Sequence, residues 1–178
     1  MLLKHLGLGL LLSLGAGSAW AADDVATAVA GTVKSVDKGA KTVVVKTSEG
    51  TEQTFHFVGR TVSHGTEATA KGSKDAFADI KEGDSVVVHY SVKGAEKTAE
   101  EVDHVGKDGL HMSVVAVEKV DQGAKTVTVK TAEGGEETYR LADRAVRDSG
   151  KGLEKAGKVT VYYSEEAGKK IAHFFKSN

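Results

Sequence analysis

Apolar and polar side chains alternate in short runs along this chain, and the runs come in pairs. Thr42-Val43-Val44-Val45-Lys46-Thr47 has a counterpart 84 residues later, Thr126-Val127-Thr128-Val129-Lys130-Thr131. Val43 and Val45 are kept as Val127 and Val129, whereas Val44 becomes Thr128. Successive side chains of a strand point to opposite faces, so Val43 and Val45 are expected on a core face and Val44 outside it. Thr54-Phe55-His56-Phe57-Val58 and Thr138-Tyr139-Arg140-Leu141-Ala142 follow the same logic, with Phe55 and Phe57 inward and His56 outward. Ser85-Val86-Val87-Val88-His89-Tyr90-Ser91 matches Lys158-Val159-Thr160-Val161-Tyr162-Tyr163-Ser164. Here Val86, Val88 and Tyr90 are inner, and Val87 and His89, like Thr160 and Tyr162, are outer. A closing strand follows in each copy, near Lys97–Val105 and Lys169–Phe175.

Two breaks in the alternation carry information. Val33 and Val36 lie three apart, as do Val117 and Val120, which predicts a β-bulge and a bend in the first strand. Gly50 and Gly134 sit where a hairpin needs positive φ. The third and fourth strands of the first copy are separated by a long connection, Gly59 to Asp84. In it Ser73 is a candidate cap for a short helix carrying Phe77 and Ile80, with Gly83 ending it. The second copy has a shorter connection and keeps Leu153 where Ile80 sits. The extra length either plugs one barrel end or, with His56 and His89 on the flanking strands, forms a recognition surface containing Arg60 and His64.

Each copy is thus a bulged strand, two more strands, a connection and two closing strands. The expected fold is all-β: two tandem five-stranded antiparallel barrels, OB-like or SH3-like, with a short helix between strands 3 and 4 of the first. The expected boundaries are 22–110 and 111–178. Gly31-Thr32-Val33-Lys34-Ser35-Val36-Asp37, followed by Ile80-Lys81-Glu82-Gly83-Asp84-Ser85-Val86-Val87-Val88, resembles the exported bacterial OB-like repeats known as domains of unknown function. The second copy departs from that pattern, with Val115 for the first glycine and Ala156-Gly157 for Gly83-Asp84. The resemblance implies an exported β-module and brings no catalytic residues with it.

The N-terminus adds a compartment. Lys4 precedes an apolar run from Leu6 to Gly15, and Ala19-Trp20-Ala21 places small residues at −3 and −1. Residues 1–21 therefore read as a signal peptide, too short in its apolar part to span a bilayer, and the protein is expected to be periplasmic or secreted. The chain has no cysteine, so neither disulfides nor a lipidated cysteine arise. Without residues 1–21 the chain has 23 basic and 25 acidic side chains. That balance argues against nucleic acid as a partner and against membrane insertion of the mature chain. Residues 22–110 carry a net charge of −4 and residues 111–178 a net charge of +2, a mild mutual attraction.

Candidate chemistry is sparse. Six histidines remain after cleavage, without the His-x-His or His-Glu-x-x-His spacing of a metal motif, and they read as scattered surface residues. His104, His111 and Met112 form the set that would suit copper. Ser63-His64 lacks the geometry of a catalytic pair. Glu100-Glu101 reads as a solvated edge, because neighbours on a strand point apart. No cofactor is expected. The leading reading is a non-catalytic exported or envelope-associated binding protein whose partner is a small molecule, glycan or envelope protein. Its candidate site is His56, Arg60, His64 and His89, and composition leaves the oligomeric state open. The rivals are a periplasmic copper or zinc handler and a hydrolase with an unrecognised site. Mass spectrometry of envelope or secreted protein should find a chain beginning at or near Ala22. An intact Met1 on that material would show the N-terminal segment to be an anchor.

Overall fold

The computed structural model describes residues 27–64, 76–106, 109–145 and 152–178. The alternating runs become strands β1 (Thr27–Asp37), β2 (Thr42–Thr47), β3 (Glu52–His64), β4 (Ser85–Lys93) and β5 (Glu96–His104). A single helical turn, α1 (Ala76–Asp79), precedes β4. Neighbours run β1-β2-β3-β5-β4, and β4 pairs back onto β1, so the sheet closes into a barrel. The second barrel uses β6 (His111–Asp121), β7 (Thr126–Thr131), β8 (Glu136–Leu141), β9 (Lys158–Glu166) and β10 (Lys169–Ser177) in the same order. A 3₁₀ turn at Leu153–Lys155 stands between β8 and β9. Every pairing is antiparallel except β3 with β5 and β8 with β10. Those parallel pairs let the last strand return beside the third and close the barrel. Among the described residues no helix is long and apolar enough to cross a membrane.

The core follows the alternation. Val43, Val45, Phe55, Phe57, Val86 and Val88 are buried together in the first barrel, with Val44 turned away from them. Val127, Val129, Tyr139, Leu141, Val159 and Val161 fill the second. The predicted bulges are present as register shifts between Val33 and Ser35 and between Val117 and Lys119. Gly50 and Gly134 take positive φ in the hairpins. Ile80 is buried against the first core, and Phe77 packs edge-on to Phe57 with ring centroids 5.2 Å apart. Leu153 occupies the corresponding end of the second barrel. The candidate cap Ser73 lies outside the described residues.

Three expectations are corrected. First, β3 does not stop near Val58. After an irregularity between Phe57 and Val62 it runs on to His64 alongside β5, so the front of the long connection is strand. Second, the outer face of β4 does not meet solvent. Val87 is 0 % and His89 2 % exposed, and Tyr162 of β9 is also buried. The outer faces of the barrels are packed together: Ala30, Val87, Leu110 and Tyr162 form a third apolar cluster, flanked by Ala28, Val105 and Phe174. Side-chain alternation reports which face a residue is on, not what covers that face. Third, Glu100-Glu101 is not a solvated edge, because both side chains are engaged by Arg144.

The chain passes tightly from one barrel to the next. Leu110 N–H donates to the His104 carbonyl at 2.8 Å. A Cβ at Gly109 would fall 2.1 Å from that carbonyl oxygen, so only glycine fits. Val45→Asp should destabilise the first barrel by at least about 3 kcal/mol, since it buries an unpaired carboxylate. Val44→Asp should leave the melting temperature nearly unchanged. Equal damage from both in thermal melts would contradict the register.

Candidate functional site

Three neighbouring strands of the first barrel place the chemistry. Glu101 and Asp103 lie on one face of β5, separated by the inward Val102. The parallel pairing sets His64 of β3 beside Asp103. The antiparallel pairing on the other flank sets His89 of β4 opposite Glu101 and Val87 opposite Asp103. Two imidazoles and two carboxylates therefore share the outer face that the second barrel covers.

The contacts are close. His64 Nδ1–H donates to Asp103 Oδ1 at 2.8 Å and lies 3.2 Å from Glu101 Oε1. His89 Nε2 is 3.5 Å from Asp103 Oδ2, and neither of these two buried atoms has a hydrogen-bonding partner among the described residues. The ligand atoms of His64, Glu101 and Asp103 all lie within 4.8 Å of one another. Among the described residues this is the one group of three or more His, Cys, Asp or Glu side chains so disposed.

The second barrel completes the seam. Arg144, just beyond β8, places Nη1 2.7 Å from Glu100 Oε2 and Nε 2.5 Å from Glu101 Oε2. Adjacent glutamates reach one guanidinium because β5 is bulged there: His89 pairs with Glu101 and Tyr90 with Ala99, which leaves Glu100 as the extra residue. β10 has a matching shift between Ala172 and Phe174, with His173 as its extra residue. His173 Nε2 is 2.9 Å from Ser164 Oγ.

The electrostatics follow from burial and pairing. Asp103 is fully buried, which alone would raise its pKa. The imidazoles of His64 and His89 beside it outweigh that effect and hold the carboxyl well below the usual range. Burial likewise opposes ionisation of Glu101, but the His64 hydrogen bond keeps it lowered. Glu100 is lowered first by its hydrogen bond from Arg144. The bonds to Asp103 and then Glu101 push His64 up to about 10, so at neutral pH it is an imidazolium between two carboxylates. Burial lowers His173, leaving it neutral.

Of the residues singled out from sequence, His64 and His89 meet here. His56 lies lower on β3, in register with Thr98. Arg60 is exposed, and its charge helps to lower the Glu100 pKa. His104 Nδ1 faces Asp84 at 3.7 Å, and the His111 ring lies 5.6 Å from that of Tyr163. Met112 is 58 % exposed, on the wall of a groove of about 470 Å³ between the barrels. The histidines are thus not uniformly scattered over the surface. Glu101, Asp103, Arg144 and His173 were missed. Asp103 lies 39 residues from His64, and only the parallel β3–β5 pairing joins them.

No protein-family model matches the chain, and no curated protein matches its sequence. Solved structures of CusF resemble part of it in fold. The silver(I) form from Escherichia coli is 16% identical over 46% of this chain and 92% of its own, with a TM-score of 0.35. A copper(II) form of a CusF variant from Escherichia coli is 17% identical over 43% and 88%, with a TM-score of 0.33. The apo form from the same organism is 16% identical over 46% and 88%, also at 0.33. The likeness covers less than half of this chain and concerns the fold alone.

The His64 shift makes stability depend on pH in a definite direction. Its folded pKa is raised above the unfolded value, so its contribution is complete below about pH 6.5 and fades as pH rises toward 10. His64→Gln, which leaves Asp103 without its main partner, should cost about 3 kcal/mol at pH 6 in the presence of a chelator. The difference from wild type should shrink steadily between pH 7 and pH 10. A difference that stays constant over that range in urea unfolding would show that the imidazolium does not hold the carboxylates.

Proposed function

We propose that this chain is an exported, non-catalytic tandem-barrel protein that binds a divalent transition-metal ion at the seam between its barrels. The observation that carries this reading is the convergence of His64 Nδ1, Glu101 Oε1 and Asp103 Oδ1, beside Asp103 Oδ2 and His89 Nε2, which face each other at 3.5 Å without a hydrogen bond from any described residue. Buried polar atoms paired this loosely are costly, and each of these is a competent metal ligand. The N-terminal segment supports export, as argued from its sequence.

The donor set indicates the class of ion. Two imidazoles and two carboxylates suit Zn(II), Ni(II) or Cu(II), whereas Cu(I) and Ag(I) favour thiolates and thioethers. The site has no cysteine, and Met112 is on the wall of the groove rather than in this cluster. The metal set considered from sequence, His104, His111 and Met112, is therefore replaced by His64, Glu101 and Asp103 with His89. His64 coordinates through Nδ1 only after losing its proton, so uptake releases a proton.

The chain's own residues divide the work of binding. β5 presents the two carboxylates at a fixed spacing, and β3 and β4 bring one imidazole to each flank. The second barrel excludes water from the back of the site through the apolar cluster around Val87 and Tyr162. A site walled in this way favours retention of an ion over turnover of a large substrate.

Calorimetric titration of the mature protein should show one Zn(II) or Cu(II) per chain with a Kd below about 10 μM. His64→Gln and Asp103→Asn should each weaken this by about a hundred-fold or more, as loss of a direct ligand requires. Cu(I), titrated anaerobically, should bind more weakly than Cu(II). Failure of every divalent ion to bind in that range, or binding indifferent to both substitutions, would leave the cluster as a structural ion-pair network only.

A further inference from the structure

The metal reading takes its ligands from the first barrel only, and so far the second barrel covers them without placing any of them. The contacts across the seam supply such a role. Glu101 is the least buried of the three candidate ligands, with 16 % of its side chain exposed, and its two oxygens are divided between partners. Oε1 faces His64 at 3.2 Å, while Oε2 is held by Arg144 Nε at 2.5 Å. The same guanidinium reaches Glu100 Oε2 through Nη1 at 2.7 Å. A planar fork held at two points fixes both position and rotation, which a single ammonium cannot do.

Resting on the metal reading, we propose that Arg144 is a positioning residue for the metal site. It clamps Oε2 of Glu101, turns Oε1 toward His64 and Asp103, and so makes the site depend on a residue of the other barrel. The bulge at Glu100 is part of the device, because without the extra residue the two glutamates would point to opposite faces. Charge agrees with this role. Glu100, Glu101 and Asp103 bring three negative charges to the seam. Arg144 sets its positive charge directly against two of them, at 2.7 Å from Glu100 Oε2 and 2.5 Å from Glu101 Oε2. Arg60 acts on Glu100 from further out and is exposed, so it cannot take over the clamp.

The seam contains its own control. At its other end Lys176 of β10 lies 2.7 Å from Glu49 Oε1 and also contacts Ser48, so it too joins the barrels by an ion pair. It touches none of the candidate ligands. Cutting Lys176 tests docking in general, and cutting Arg144 tests the clamp.

The experiment is Zn(II) calorimetry, together with the visible spectrum of the Co(II)-loaded protein, on the full mature chain as wild type, Arg144→Gln, Arg144→Lys and Lys176→Gln. Arg144→Gln should weaken Zn(II) binding roughly ten- to hundred-fold, the usual effect of removing a residue that orients a metal ligand. It should also alter the Co(II) absorption bands. Arg144→Lys should fall between it and wild type, and it keeps the test open if Arg144→Gln does not fold. Lys176→Gln should bind within about threefold of wild type with an unchanged spectrum, since it leaves the ligands and Arg144 in place. Arg144 variants that bind like wild type, or a Lys176→Gln loss as large as that of Arg144→Gln, would overturn the proposal. Wild type that binds no divalent ion would instead sink the metal reading itself.

Discussion

A carboxylate with no access to water organises the seam of this molecule. Asp103 is fully buried between two barrels, where an unpaired negative charge would cost more than most single packing contacts return. Three features answer that demand. β3 extends past its irregularity so that His64 arrives beside Asp103. His64 is protonated well above the usual imidazole range, with Glu101 on its other side. Arg144 crosses from the second barrel to satisfy the glutamates that His64 leaves short. Remove the burial, and none of these contacts would be worth its ordering entropy at a surface.

The barrels themselves were legible in the sequence because each inward position is set by a local rule. Val43 against Val44, the bulges at Val33 and Val117, and the hairpin glycines Gly50 and Gly134 are all decided within a few residues. The seam was not legible, for two reasons. Val87 and His89 were placed on the correct face, but whether an outer face meets water or another barrel depends on a partner surface far along the chain. Glu100 and Glu101 were assigned opposite faces by a rule that holds for a regular strand, and a bulge at that point suspends it. His64 looked like a loop residue because the irregularity between Phe57 and Val62 breaks the alternation just before the strand resumes. Net charge says nothing of where ion pairs form, and the structure joins the halves through Arg144 with Glu100 and Glu101 and through Lys176 with Glu49.

The two barrels meet through related surfaces that carry different chemistry. Their equivalent registers, Ser91 with Thr98 and Ser164 with Ile171, align the bulged residues Glu100 and His173. The next position is Glu101 in one barrel and Phe174 in the other, and His89 faces the same way as Tyr162. The first barrel therefore contributes ionisable groups, and the second contributes aromatic rings and cations. A pairing of that kind docks in one order only, because two acidic faces would repel and two aromatic faces would leave Arg144 without a carboxylate.

That asymmetry bears on why the ionisable cluster exists. Buried ion pairs seldom improve stability over apolar residues of similar size. The second barrel shows that these strand positions accept such residues, since Tyr162 packs in the seam cluster and Phe174 packs against it. Nothing in the barrel geometry therefore requires His89 and Glu101 where they are. A purely structural seam could be closed by rings on both sides, without a buried Asp103 Oδ2 and His89 Nε2 that face each other at 3.5 Å and take no hydrogen bond from the described residues. The cluster is an expense that folding alone does not explain, and its donors have the type, spacing and burial of a ligand set.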